Sequence, residues 1–146
     1  MKDFLIKYDG ITLYEEGLII VKANSVKDAI NKFHDYMISS TDLIEEFEES
    51  LCGYIDYEYI EYISKRNKDD FDWDKATDAF IRSEKGFIDK RRFKGLDLDK
   101  FVQECFYILS DESVYTEVSN ETKELIFKWM YKDIAAVNLN KVRVLE

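Results

Sequence analysis

The opening of the chain constrains the fold more than any other stretch. "DFLIKYD" at 3–9 alternates in the manner of a strand, and "GLIIVKAN" at 17–24 is a β-branched run bounded by Gly17. Such runs read as strands because branched side chains pack well on a pleated surface. The intervening "GITLYEEG" fits a loop or an extension of either strand. Directly afterwards comes "SVKDAINKFHDYM", in which Ser25 suits a helix N-cap and Asp28 completes a capping-box-like pair. Val26, Ala29, Ile30, Phe33 and Met37 recur at helical spacing. The N-terminus is therefore expected to be a hairpin followed by a helix.

The middle of the chain reads as helical. "TDLIEEFEESLCG" places Leu43, Ile44, Phe47 and Leu51 on one stripe, and Gly53 suits the left-handed position after a helix end. "YIDYEYIEYISKR" is open to two readings. Its Tyr and Ile content suits a strand. Asp56 can instead cap a helix carrying Tyr59, Ile60 and Ile63, and alternation fails at Ile60 and Glu61, so a helix is the favoured reading. Further helices are expected with Trp73, Ala76 and Phe80 on one face before a stop at Gly86, with Leu98, Phe101, Val102, Cys105 and Leu109, and with Leu125, Ile126, Trp129, Met130 and Ile134. "VNLNKVRVLE" at 137–146 reads as a strand with Val142 and Val144 on one side. The predicted architecture is one α+β domain over residues 1–146. Its small antiparallel sheet combines the N-terminal hairpin with the C-terminal strand, under about five or six helices from the middle of the chain.

Apolar residues make up 46% and charged residues 36% of the 146 residues. That is too hydrophobic for disorder and too charged for a membrane protein. The longest apolar run, "LIIV" at 18–21, is far short of the roughly 20 residues of a membrane-spanning helix. "MKDFLIKYDG" carries an early Asp3 and no long apolar segment, unlike a secretory leader. Cys52 and Cys105 read as two buried thiols in a reducing compartment, which places the protein in a cytoplasm. Proline is absent, Lys far outnumbers Arg, and Ile, Tyr and Phe are common. Lys, Ile, Asn, Tyr and Phe have AT-rich codons, which points to an AT-rich bacterium or to a phage or plasmid within one.

Recognisable catalytic and metal motifs are missing. His34 stands alone beside an apolar stripe and reads as an ordinary half-buried histidine, with no nucleophile marked out near it. The cysteines have no CxxC partner and no second histidine, so zinc is not expected. The five glycines form neither a GxGxxG nor a GxxxxGK[ST] loop. Asp70, Asp72 and Asp74 match the first ligand positions of a calcium loop, but Lys75 stands where its glycine belongs and Ile81 where its bidentate Glu belongs. They read better as acids at a helix start. No cofactor, no metal and no enzymatic activity are expected.

The charge is distributed unevenly. Between Phe33 and Ser64 there is no Lys or Arg against nine Asp or Glu, in a chain of formal charge −10. Within this region "EEFEESLCGYIDYEYIEYI" also holds Tyr54, Tyr57, Tyr59 and Tyr62. A run of acids is most often a solvated face. Here neighbours such as Glu45, Glu46, Glu48 and Glu49 repel by about 0.2–0.5 kcal/mol for each like pair one turn apart. They are interleaved with a residue type enriched in interfaces. Asp42, Glu45, Glu46, Glu48, Glu49, Asp56, Tyr57, Glu58, Tyr59 and Glu61 are accordingly the candidate partner-binding residues. The opposite pole, "KRRFK" at 90–94, fits a solvated cluster or one that pairs with the chain's own acids; a second copy's acidic face is a further option, which would give an oligomer. A sequence pI near 4.7 disfavours direct nucleic-acid binding.

Rows of carboxylates suit surfaces built for phosphates. Acids one helical turn apart, about 5.4 Å, are spaced comparably to neighbouring phosphates along a strand. "FEESLCGYIDYE" at 47–58 resembles an acidic helical stretch of antirestriction DNA mimics. The small, acidic, proline-free chain, with its strand–strand–helix opening and closing strand, looks like phage and mobile-element anti-CRISPR and antirestriction proteins. This resemblance implies a non-enzymatic inhibitor that docks on a basic, nucleic-acid-binding defence enzyme in a host cytoplasm. The alternatives are a small structural or regulatory protein whose acidity serves solubility, and an enzyme with an unrecognised carboxylate site.

Overall fold

The computed structural model describes residues 1–9, 19–83, 97–110, 117–142 and 145. Along the chain these form β1 (Lys2–Asp9), β2 (Ile19–Ala23), α1 (Val26–Ser39), α2 (Asp42–Ile63), α3 (Trp73–Arg82), α4 (Leu98–Ser110), α5 (Asn120–Met130) and β3 (Lys132–Asn138). Short 3-10 turns lie at Lys68–Asp70 and Leu139–Lys141. The class is α+β: among the described residues, five α-helices accompany a three-stranded antiparallel sheet of order β2-β1-β3. Leu5 on the central strand lies opposite Ile20 on one side and Val137 on the other. Phe4 and Ile6 alternate with it and are buried, as the two-residue period of a strand requires.

Helix α1 starts where its sequence says it should. The Ser25 hydroxyl accepts from the Asp28 backbone N–H at 3.1 Å, and the Asp28 carboxylate accepts from the Asn24 N–H at 3.0 Å. Such a cap contributes about 1 kcal/mol. Ala29, Phe33 and Met37 are buried, while Val26 is exposed and Ile30 half-buried. The Phe33 ring meets Phe127 of α5 and Tyr131 at centroid distances of 5.8 and 5.2 Å. Leu43, Ile44, Phe47 and Leu51 of α2 continue this core, together with Phe101, Cys105 and Ile108 of α4 and Ile126 and Met130 of α5.

Several expectations need correction. Gly53 does not end a helix and Asp56 does not cap one, because α2 is continuous from Asp42 to Ile63. Gly in a helix interior costs about 1 kcal/mol relative to Ala; the burial of Leu51 and Ile55 on either side outweighs that. Ile60 and Ile63 are exposed and not part of a buried stripe. On α3 the buried positions are Thr77 and Ile81. Trp73 is 46% exposed, and Ala76 and Phe80 are half-buried. The helix is thus turned by about one residue, 100°, from the expected face. Cys105 is buried as expected, but Cys52 is exposed. Among the described residues the last strand lies at Lys132–Asn138, earlier than 137–146. Ile134 therefore belongs to β3 and not to α5, and Val142 is exposed beyond the Leu139–Lys141 turn. "KDIAAVN" has weak strand propensity, and pairing with β1 overrides it. Gly86, Val144 and the 90–94 basic cluster lie outside the described residues.

Candidate interaction surface

At 3.6 residues per turn, Leu43, Ile44, Phe47, Ser50, Leu51 and Ile55 fall on one side of α2, and all are buried. Asp42, Glu45, Glu49 and Asp56 fall within roughly 60° of arc on the opposite side, and all four are exposed. They run along about 21 Å of helix at 1.5 Å per residue. Asp42 accepts a hydrogen bond from the Tyr36 hydroxyl at 2.7 Å. Among the described residues, no Lys or Arg forms an ion pair with Glu45, Glu49 or Asp56. The same stripe continues into Ile60, 59% exposed, and Ile63.

The other expected site residues sit off this stripe. Glu46 is half-buried and its carboxylate accepts from the Tyr131 hydroxyl. Burial, then that hydrogen bond, pushes the Tyr131 phenol well above its ordinary range. Glu48 is half-buried on the side of α2 that carries Tyr59. Tyr57 is 60% exposed, and its phenol is raised by the nearby Glu61 carboxylate. Tyr59 stacks on Trp73 at 4.8 Å and meets Phe71 edge-on at 5.2 Å. Tyr62 joins the same cluster through Phe71. Glu58 and Glu61 line an open groove of about 590 Å³ with Tyr62 and Phe80, but Lys65 and Arg66 line it too. Its charge is locally balanced, unlike that of the outer stripe.

A smaller cavity of about 300 Å³ opens beside the stripe, where α2, α3 and α4 meet. Ile55, Trp73, Phe106 and Leu109 form its apolar walls, and Asp56 and Asp74 contribute carboxylates. Cys52 also lines it; burial, then Glu48 and Asp56, raise its thiol pKa, so the thiolate is disfavoured.

No protein-family profile, curated protein or solved structure matches this chain.

His34 donates through Nε2 to Glu124 at 2.8 Å, with Asp35 3.2 Å from Nδ1. Burial lowers its pKa, but the hydrogen bonds to the two carboxylates outweigh that and the net shift is upward. It ties α1 to α5, with its ring edge-on to Phe127. Asp72 caps α3, accepting from the Lys75 N–H at 3.0 Å. Among the described residues, no group of three or more His, Cys, Asp or Glu could hold a metal ion, and no helix is long and apolar enough to cross a membrane.

Ile60 and Ile63 are the surface residues that sequence reasoning missed. Once α2 is taken as a single helix, the core register of Leu43, Phe47 and Leu51 runs on to Ile55 and leaves Ile60 on the far side. The signal was present, and the assumed break at Gly53 hid it.

Proposed function

We propose that this protein is a non-enzymatic binding protein whose outer α2 face docks on a basic protein surface. The observation that carries this reading is the stripe of Asp42, Glu45, Glu49 and Asp56, which no Lys or Arg pairs among the described residues and which ends in exposed Ile60 and Ile63. Carboxylates give steering and register, and solvent-facing aliphatic side chains give contact area. A groove built for phosphates is the partner surface that such a row fits best. The partner class is accordingly a nucleic-acid-binding enzyme, and the resemblance of residues 47–58 to antirestriction mimics favours a defence enzyme such as a CRISPR effector or a restriction enzyme. The protein then acts as an inhibitor, in the cytoplasm of the host cell.

The alternative is a small structural or regulatory protein whose acidity serves solubility. One observation favours it: Glu46 and Tyr59 make their contacts within the chain, with Tyr131 and Trp73.

The test is capture from a host lysate by immobilised wild type and by an Asp42→Asn, Glu45→Gln, Glu49→Gln variant. These amides keep side-chain size, and the substitutions remove like-charge repulsion, so the fold is retained. The docking reading expects proteins held at low salt by wild type, displaced by duplex DNA, and bound at least about tenfold more weakly by the variant. A folded variant that retains the same proteins as wild type, with the same salt dependence, leaves the stripe as a solvated face.

A further inference from the structure

We propose that the cavity between α2, α3 and α4 is an arginine-binding pocket, which takes one basic side chain of the docked partner. The inference rests on the docking reading above and adds to it the chemistry of a central anchor. The first argument is shape. The cavity of about 300 Å³ is small for a drug-sized ligand, for which pockets run from about 300 to 1,000 Å³, but it has room for a single long side chain. The second is the division of its walls. Ile55, Phe106 and Leu109 offer apolar surface to the methylene stem, which long basic side chains bury readily. Asp56 and Asp74, from two different helices, offer carboxylates to the head. Trp73, already stacked against Tyr59 on one face, also lines the cavity and adds the aromatic system that attracts cations most strongly; a planar guanidinium pairs with carboxylates and packs on such a ring.

The third argument is the local field. The last turn of α4, at Leu109 and Ser110, reaches the cavity and carries no basic side chain, so the negative end of its dipole is directed there. The positive end of α3 is nearby too, but Asp72 and Asp74 cover it with carboxylates. The Cys52 thiol senses the same environment, since Glu48 and Asp56 reinforce burial in disfavouring its anion. Burial disfavours any charge, so it is the Glu48 and Asp56 carboxylates in that shift that favour a cation here. Finally, Asp56 belongs both to the cavity and to the acidic stripe, so an arginine seated here brings the surface around it against Glu49 and Ile60.

The experiment is a titration of the isotope-labelled full chain with N-acetyl-arginine amide, read by NMR at the Trp73 indole N–H, with the buried Trp129 indole as the internal control. Saturable shifts are expected at Trp73 and at backbone amides around Ile55, Thr77 and Leu109. The uncharged isostere, N-acetyl-citrulline amide, should bind at least about tenfold more weakly, equivalent to about 1.4 kcal/mol. An Asp56→Asn, Asp74→Asn variant should lose about tenfold, and Glu45→Gln, Glu49→Gln less than about twofold. The proposal is overturned if citrulline matches arginine, if the Trp73 indole does not move, or if both carboxylate pairs matter equally. Should the double Asn variant not fold, the arginine–citrulline comparison on wild type still decides. Lysate capture that depends on Glu45 and Glu49 without arginine entering the cavity removes this pocket and leaves the docking face. Arginine entry without any such capture does the reverse.

Discussion

Between Asp42 and Ile55, α2 buries Leu43, Ile44, Phe47, Ser50, Leu51 and Ile55, whereas from Asp56 to Ile63 no α2 side chain is buried. Both parts of the helix are acidic, yet they hold the molecule together differently. In the first, one side is committed to the core, Glu46 accepts from Tyr131, and Asp42, Glu45 and Glu49 are exposed on the opposite side. In the second, the helix extends beyond the core and is steadied at its flank by Tyr59 and Tyr62 against Phe71 and Trp73. A rigid first half thus presents a more lightly supported second half, and the exposed stripe runs across both.

The sharpest way to break this contrast is Phe47→Ala. Phe47 is fully buried and packs 5.9 Å from Trp129 between ring centroids. The substitution should cost about 3–5 kcal/mol, read by denaturant unfolding. A loss below about 1 kcal/mol would mean that the first half is not a core element. Next in size is Tyr131→Phe, which removes the hydroxyl that Glu46 accepts and should cost about 1.5–3 kcal/mol.

The same pair predicts an alkaline effect. The folded-state pKa of Tyr131 lies above the ordinary value of 10.0, so the folded protein holds that proton more tightly than the unfolded chain. Its contribution is complete below about pH 10 and is lost as pH rises beyond it. Unfolding measured from pH 8 to 11 should show this fall in wild type and a weaker one in Tyr131→Phe. Equal slopes would remove Tyr131 from the account.

Smaller effects sharpen the junction between the halves. Gly53→Ala should stabilise by about 0.4–1 kcal/mol, because a helical Gly is replaced by a better helix former. A destabilisation there would imply a break in α2. Smallest of all, Ile60→Ala should leave stability within about 0.5 kcal/mol while weakening whatever the wild-type protein captures. A large stability loss would place Ile60 in a contact and not on the surface.

Much of this was legible from residues alone. Ser25 and Asp28 marked the start of α1, "LIIV" marked β2, and Phe101, Val102 and Cys105 marked the buried face of α4. Signals failed where local preference and tertiary context disagreed. Gly53 is chemically a good terminator, yet core residues on both sides carry the helix through it. Ala135 and Ala136 favour helix, yet β1 provides an unpaired edge and draws them into a strand. The candidate site divided in the same way. Composition identified the acidic region, but only the helical register separates Glu45 and Glu49, which face solvent, from Glu46, which serves Tyr131. The cavity between three helices joins residues from Cys52 to Ser110, and no spacing along the chain announces it.

The position of β1 has a consequence in time. It is the central strand, and its pairing with β3 joins Leu5 to Val137. At about 5–20 residues per second of synthesis, β1 leaves the ribosome roughly 6–25 s before its second neighbour exists. During that interval the nascent hairpin offers other chains an open edge, the usual template for misassembly. The sheet therefore stays incomplete until β3 is made, and every newly made molecule passes through a window in which a chaperone or another nascent chain can reach it.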